Sequence, residues 1–406
     1  MSRVPYPPAR RDDIVDDLHG TPVPDPYRWL EDPDDPATKE WLDAQETLFR
    51  SAELEGRDHF RERIAELLRS GSVGTPSWRG ERRFFTRRAP DQEHPVLYVA
   101  DADGERVLLD PTALDPSGLT TLDSYQPDKE GNRLAYQISV GGDEESRLYV
   151  VDVTTGEIVE GPIDRCRYSP VAWLPGGEAF YYVRRLAPSL VPADEEQFHR
   201  RVYLHRVGAS PDDDVLIFGD GLEKTNYYGV SVSLDGRRLS ISASRGTAPR
   251  NDLWVADLDA SSLEAPELVT VQQDVDAQTG LHFGRDGRLY VFTDLDAPRG
   301  RVCVTSPETP GPEHWRDLVP EDAEAVLSDF AILDGMAEPI LLVGWTRHAI
   351  GEISVHALET GERIGEVPLP GLGSIGGSSS VRRAGTRPGS ATPTASPRPR
   401  STTTTR

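Results

Sequence analysis

A glycine-turned hairpin recurs along this chain at an interval near fifty residues, and no other feature restricts the fold as strongly. Turn glycines preceding a hydrophobic strand fall at Gly80, Gly131, Gly177, Gly236, Gly287 and Gly335, with successive gaps of 51, 46, 59, 51 and 48. Each precedes a similar run: RRFFTRR, NRLAYQI, EAFYYVRR, RRLSISA, RLYVFTD and PILLVGW. A second hairpin partner follows each run, as in VLYVADADGERVLLD and RLYVVDVTTGEIVEG. The unit is clearest over 230–271. Val230, Val232 and Leu234 alternate with small polar residues, the period of a half-buried strand. Asp235-Gly236 reverses the chain through positive φ. Leu239, Ile241 and Ala243 alternate again, and Leu253–Ala256 and Leu268–Val271 read as third and fourth strands. Six such units over 71–377 predict a mainly β fold, a β-propeller of about six blades. A sandwich would need coincidental turn spacing.

Charge and cysteine content narrow the function. With 44 basic and 68 acidic residues the net charge is −24, which repels nucleic acid and favours a cationic or neutral small ligand. Cys166 and Cys303 are the only cysteines, far apart and without CxxC spacing, so neither a disulfide nor a metal framework is expected. No apolar run approaches membrane-span length, and MSRVPYPPAR lacks the core of a signal peptide. The expectation is a cytoplasmic protein with no membrane, nucleic-acid or cofactor partner.

Residues 1–70 differ from the repeats. A Pro-rich extended segment turns helical after Asp35-Pro36, with proline at a first-turn position. Trp41, Leu42, Leu48, Phe49 and Ala52 fall on one stripe, and a second helix carries Phe60, Ile64, Leu67 and Leu68 at i, i+4, i+7 and i+8. By spacing alone these helices could simply cap the propeller.

The opening residues are more specific. Tyr6-Pro7-Pro8, Arg10-Arg11-Asp12, His19-Gly20 and Asp25-Pro26-Tyr27-Arg28-Trp29-Leu30-Glu31-Asp32-Pro33 resemble the start of the prolyl oligopeptidase family, and the blades that follow resemble its propeller up to about Gly377. The resemblance implies an incomplete form of a seven-bladed propeller that is inserted into an α/β-hydrolase domain. It also implies that the N-terminal helices pack on that hydrolase domain, whether it belongs to the same chain or to one supplied in trans. In such a peptidase a serine acyl-enzyme mechanism cuts short peptides after proline, and the propeller restricts access.

The family's serine, acid and histidine lie C-terminal to the propeller. The nucleophile elbow G-x-S-x-G occurs nowhere in these 406 residues. His205, His282, His348 and His356 lie within or beside strand patterns and read as ordinary sheet residues. No catalytic residue is assigned, and the chain is expected to be inactive alone. Gly371–Gly376 matches G-x-G-x-x-G, but it follows Pro368 and Pro370 and no acid occurs after Glu366, so the dinucleotide reading fails. Asp101–Gly104 lacks a twelfth-position glutamate (Thr112 stands there) and reads as a hairpin turn, not a calcium loop. One propeller position carries over from the resemblance. Tyr168, in Arg167-Tyr168-Ser169-Pro170, matches a site where the family places an aromatic residue near the bound peptide. Packing beside Trp173 is its bland alternative.

Residues 378–406 change character: six Arg, seven Thr, six Ser and four Pro, with no acid and no aromatic. Such a segment builds no core and is expected to be disordered. Synonymous codons for Val381–Thr394 exist that, in a neighbouring frame, spell PEGGHEAWFGYTD, similar to the start of the family's seventh blade. That composition points to a frameshift near Gly377–Ser380. The rival reading is a stand-alone propeller scaffold with a genuine basic tail.

Overall fold

A computed structural model describes residues 5–52 and 56–375, and the backbone alone of 395–397. The frameshift expectation, and most of the tail on which it rests, lie outside the described residues. The chain divides into two compact units, 1–70 and 71–406.

In the first unit a hairpin pairs Val15–Leu18 with Thr21–Pro24, followed by a 3₁₀ turn at Arg28–Glu31 and helices α1 (Pro36–Ser51) and α2 (Arg57–Leu68). Asp35 caps α1, its carboxylate accepting from the Ala37 N–H at 2.7 Å, and Pro36 occupies the position where no N–H is required. The Pro-Tyr-Arg-Trp run is pinned at its tryptophan. Trp29 is buried, its indole N–H donates to the Arg10 carbonyl at 3.0 Å, and the buried Thr38 hydroxyl donates to the Trp29 carbonyl at 2.8 Å. Arg28 reaches Asp25 at 2.8 Å and also pairs with Asp16. The helical stripes remain open. Leu42 and Phe49 are about half exposed, and α2 buries no residue, leaving Phe60, Ile64, Leu67 and Leu68 on its surface. A twelve-residue helix with no buried face draws little stability from packing.

The second unit holds six antiparallel meanders. Blade 1 is Ser77–Arg79, Arg82–Arg88, Val96–Asp101 and Gly104–Leu109, with Ser72–Val73 as an extra pairing on its second strand. Blade 2 is Thr120–Pro127, Arg133–Val140, Arg147–Asp152 and Ile158–Ile163. Blade 3 is Val171–Trp173, Ala179–Arg185, Arg200–Arg206 and Val215–Phe218. Blade 4 is Asn226–Val232, Arg238–Arg245, Asp252–Asp257 and Leu268–Gln272. Blade 5 is Thr279–Phe283, Leu289–Thr293, Arg301–Thr305 and Arg316–Val319. Blade 6 is Val326–Leu333, Ile340–Arg347, Ile350–Ala357 and Arg363–Glu366. The six-bladed propeller is therefore present, and each predicted turn glycine falls between a first and a second strand. Five of the six have positive φ, from +57° at Gly80 to +80° at Gly287. Gly335 does not, because its turn spans several more residues before Ile340.

Alternation sends successive residues to opposite faces, so the core lies between blades. Phe84, Leu97, Leu134 and Tyr136 join blades 1 and 2. Tyr181, Leu204, Leu239 and Trp254 join blades 3 and 4, and Tyr290, Val304, Leu341 and Val343 join 5 and 6. The far face of blade 6 buries Ala331, Leu333, Leu342 and Ile353 under Val367, Leu369 and Ile375. The backbone of Gly373–Ile375 pairs with Ala395–Pro397.

Both cysteines are free and buried. Burial pushes each thiol up to about 12. A thiolate-trapping reagent at pH 8 is therefore expected to label neither cysteine in the folded protein and both in denaturant. Rapid native labelling of either would contradict the packing described.

Candidate functional site

Because each blade is a meander, its connections alternate between the two ends of the propeller. The loop entering the first strand and the loop between second and third strands share one end. The first and last turns share the other. This rule gathers residues that are scattered in sequence.

At the first-turn end, a cavity of about 640 Å³ is framed by turns of blades 1, 2, 4 and 5 and carries Lys129, Arg237, Arg238, Arg285 and Arg288. The cationic rim is neutralised locally. Arg237 pairs with Asp259 at 2.5 Å, Arg238 with Asp257 at 2.9 Å and Arg288 with Asp286 at 2.7 Å. Between the inner strands of blades 1–4 lies a cavity of about 300 Å³, where Arg79, Gln137, Trp173 and Val232 contribute.

The opposite end carries Tyr168. Its loop is fixed from below: the Gln137 amide donates to the Ser169 carbonyl at 2.6 Å, the Ser169 hydroxyl bonds Val183, and the Cys166 N–H donates to Ser146 at 3.2 Å. Held this way, Tyr168 adopts φ +55°, a left-handed conformation disfavoured for a bulky residue. Its ring is half exposed and leans on Tyr227 of blade 4, with centroids 6.0 Å apart. Trp173 is not its partner. That indole turns inward, edge-on to Phe180 at 4.8 Å and bonded to the Gln126 carbonyl at 2.9 Å.

Around the two tyrosines stand groups that sequence reading did not connect. The Tyr168 hydroxyl donates to Glu144 at 2.7 Å, and Arg167 pairs with the same carboxylate while lying 5.2 Å from the Tyr168 ring. The Tyr168 hydroxyl and then Arg167 hold the Glu144 carboxyl below its usual range. Arg185 pairs with Glu145, and Arg200 stacks on Tyr227 at 4.0 Å. Glu144 and Glu145 come from the second-to-third loop of blade 2. Arg167 and Tyr168 enter blade 3, Arg185 and Arg200 flank its second-to-third loop, and Tyr227 begins blade 4. Clustered arginines are visible in the sequence, but their convergence depends on the meander rule.

The histidines are dispersed. His205 is fully buried between Asp214 and Glu160. His282 lies in the first strand of blade 5, and His348 sits in a tight turn of blade 6 at φ +49°. His356 forms one serine–histidine contact, 2.8 Å from the Ser354 hydroxyl, while its other ring nitrogen bonds the Gly361 carbonyl at 2.8 Å. Burial lowers the basicity of His356. Ser354 is buried and accepts from the Trp345 indole at 2.7 Å, so no substrate carbonyl can approach it. Among the described residues no group of three or more His, Cys, Asp or Glu could hold a metal ion, and no helix is long and apolar enough to cross a membrane.

A family model described as the prolyl oligopeptidase N-terminal β-propeller domain matches residues 7–385. Among curated proteins, the prolyl endopeptidase of Elizabethkingia meningoseptica is 28% identical over 379 residues, covering 92% of this chain and 52% of the relative. Prolyl oligopeptidase A of Galerina marginata is 29% identical over 371 residues, covering 81% and 50%. A structure from a study of two prolyl endopeptidases aligns with a TM-score of 0.82 at 31% identity, covering 92% of this chain and 54% of that one. Prolyl oligopeptidase B from Galerina marginata aligns at 0.76 with 21% identity, a likeness of fold alone. The chain thus spans about half the length of the relatives it matches.

Proposed function

The chain belongs to the prolyl oligopeptidase family, and from that premise we propose that its propeller is the substrate-admitting half of a serine peptidase acting on short proline-containing peptides. The observation that carries the reading is the exposed pair Tyr168–Tyr227, held at one end of the propeller by a strained loop. Flat aromatic rings backed by guanidinium groups suit the apolar rings and carbonyls of a peptide. Bond cleavage is assigned to a Ser-His-Asp set outside these 406 residues, in an α/β-hydrolase domain. The open apolar stripe of α2 suits contact with such a domain, whether it is continuous with this chain or separate. The two buried free thiols accord with a reducing, cytoplasmic setting.

The 406-residue polypeptide is expected to bind a blocked Gly-Pro peptide weakly and to hydrolyse none of it. Tyr168→Gly is expected to weaken that binding about tenfold, since a buried aromatic contact is worth on the order of 1–2 kcal/mol. The same change relieves positive φ, so the melting temperature should not fall. Calorimetric titration and thermal melts read the two effects separately. Peptide affinity unchanged by Tyr168→Gly would remove the assignment.

A further inference from the structure

Among the described residues, Arg200 is a buried cation without a counter-charge. The residue is 2% exposed and has no ion pair among the described residues. Its Nε is buried with no acceptor, and Nη1 reaches only the Gln197 carbonyl at 3.2 Å. Burial, with repulsion from Arg185 and Arg167, pulls its guanidinium below the ordinary value despite the favourable Tyr227 ring. The nearby carboxylates are committed elsewhere, Glu144 to Arg167 and Tyr168, Glu145 to Arg185. Three guanidiniums thus face two carboxylates, inside a protein whose net charge is −24. The Nε atoms of Arg167 and Arg185 are likewise buried without acceptors among the described residues. A buried charge with unmet donors is unfavourable unless something pairs with it. Only the Tyr227 ring, itself exposed to solvent and stacked 4.0 Å over the guanidinium, need turn aside for a carboxylate to reach Arg200.

We propose that Arg200, flanked by Arg167 and Arg185, is an anion subsite that pairs with a carboxylate of the peptide held at Tyr168 and Tyr227, so that acidic peptides are preferred. This inference rests on the peptide-binding reading above. A carboxylate fits better than a phosphate dianion because the cluster carries one uncompensated positive charge. A planar guanidinium fork also matches a carboxylate in two-point geometry. The carboxylate can come from an Asp or Glu side chain or from a peptide C-terminus, and the chemistry at Arg200 is the same.

The test titrates the 406-residue protein with blocked proline peptides that differ in one group: Glu against Gln, and free C-terminal acid against amide. The Glu peptide, the free acid, or both should bind about tenfold more tightly than the neutral partner, and whichever pair shows the gap identifies the source. Arg200→Met should erase that gap, bringing the affinity of the charged peptide down to that of its neutral partner in the same variant. Its melting temperature should hold or rise, because an unpaired buried charge has been removed. A purely structural arginine would instead lower the melting temperature and leave any gap intact. Should Arg200→Met fail to fold, Arg200→Lys, which keeps the charge but loses the fork, should reduce the gap. Equal binding of charged and neutral peptides would overturn the anion subsite and leave peptide binding standing. If no peptide binds, the proposed function fails, and N-acetylglutamate α-amide then probes the subsite alone. Its binding, lost in Arg200→Met, would uphold the anion site, and no binding would overturn it.

Discussion

Gly361→Ala is expected to destabilise the propeller by more than about 3 kcal/mol, close to the upper range for a single substitution. A Cβ at this position would lie 1.8 Å from the Leu318 carbonyl oxygen and 2.7 Å from its carbon. The obstacle is backbone, in the last strand of blade 5, so no rotamer change can relieve it. Leu318 is itself buried in the core between blades 5 and 6 and sits at a register shift in its strand. Moving it would disturb two blades. Gly361 also has φ +77°, which an alanine adopts at a penalty of about 1 kcal/mol. Gly208→Ala separates the two effects, because Gly208 has φ +89° and nothing within 4 Å of its Cβ position. Equilibrium urea denaturation should show a loss near 1 kcal/mol for Gly208→Ala and several times that for Gly361→Ala. Equal losses would mean that blades 5 and 6 do not approach as closely as described.

His205→Leu should cost about 3 kcal/mol at pH 6 and progressively less at higher pH. His205 has no exposure. One ring nitrogen lies 2.7 Å from Asp214 and the other 3.3 Å from Glu160. Asp214 also accepts from the Tyr182 hydroxyl at 2.5 Å, and Glu160 from the Gly208 N–H at 2.6 Å, so the imidazole ties blade 2 to blade 3. Burial alone would lower its basicity, but the hydrogen bond and charge of Asp214, then of Glu160, outweigh burial and raise it. A raised histidine contributes stability that is fully present below its unfolded value of about 6.5. That contribution is lost as pH rises through the higher folded value. Leucine fills similar space but leaves two buried carboxylates without a cation, for which losses of about 3–5 kcal/mol are typical. Denaturation at pH 6 and pH 9 should therefore give a gap between wild type and variant that narrows with pH. A gap independent of pH would assign His205 to packing alone.

Both effects involve contacts between blades, and neither was legible in the sequence. His205 reads as one more residue in a strand, and nothing in the chain marks Glu160 or Asp214 as its partners. Gly361 reads as an ordinary hairpin glycine, like Gly208, although only one of them meets a neighbouring backbone. Gly335 shows the converse. It keeps the spacing of the other turn glycines, but its longer turn removes the need for positive φ. Tyr168 was found through family likeness, whereas Tyr227 and Arg200 were not found at all.

Order within a blade is local. Period-two alternation, Asp-Gly turns and repeated glycines act between residues a few positions apart, so they are written in the chain and can be read there. The six meanders, the capped helix at Asp35-Pro36 and the inert Asp101–Gly104 turn all belong to this class. The site at Tyr168 does not. Its groups run from Glu144 to Tyr227 across three blades, and they meet because antiparallel connections alternate ends and the blades pack side by side. Local patterning fixes each sheet, but inter-blade packing sets which loops converge and whether a buried charge finds a partner.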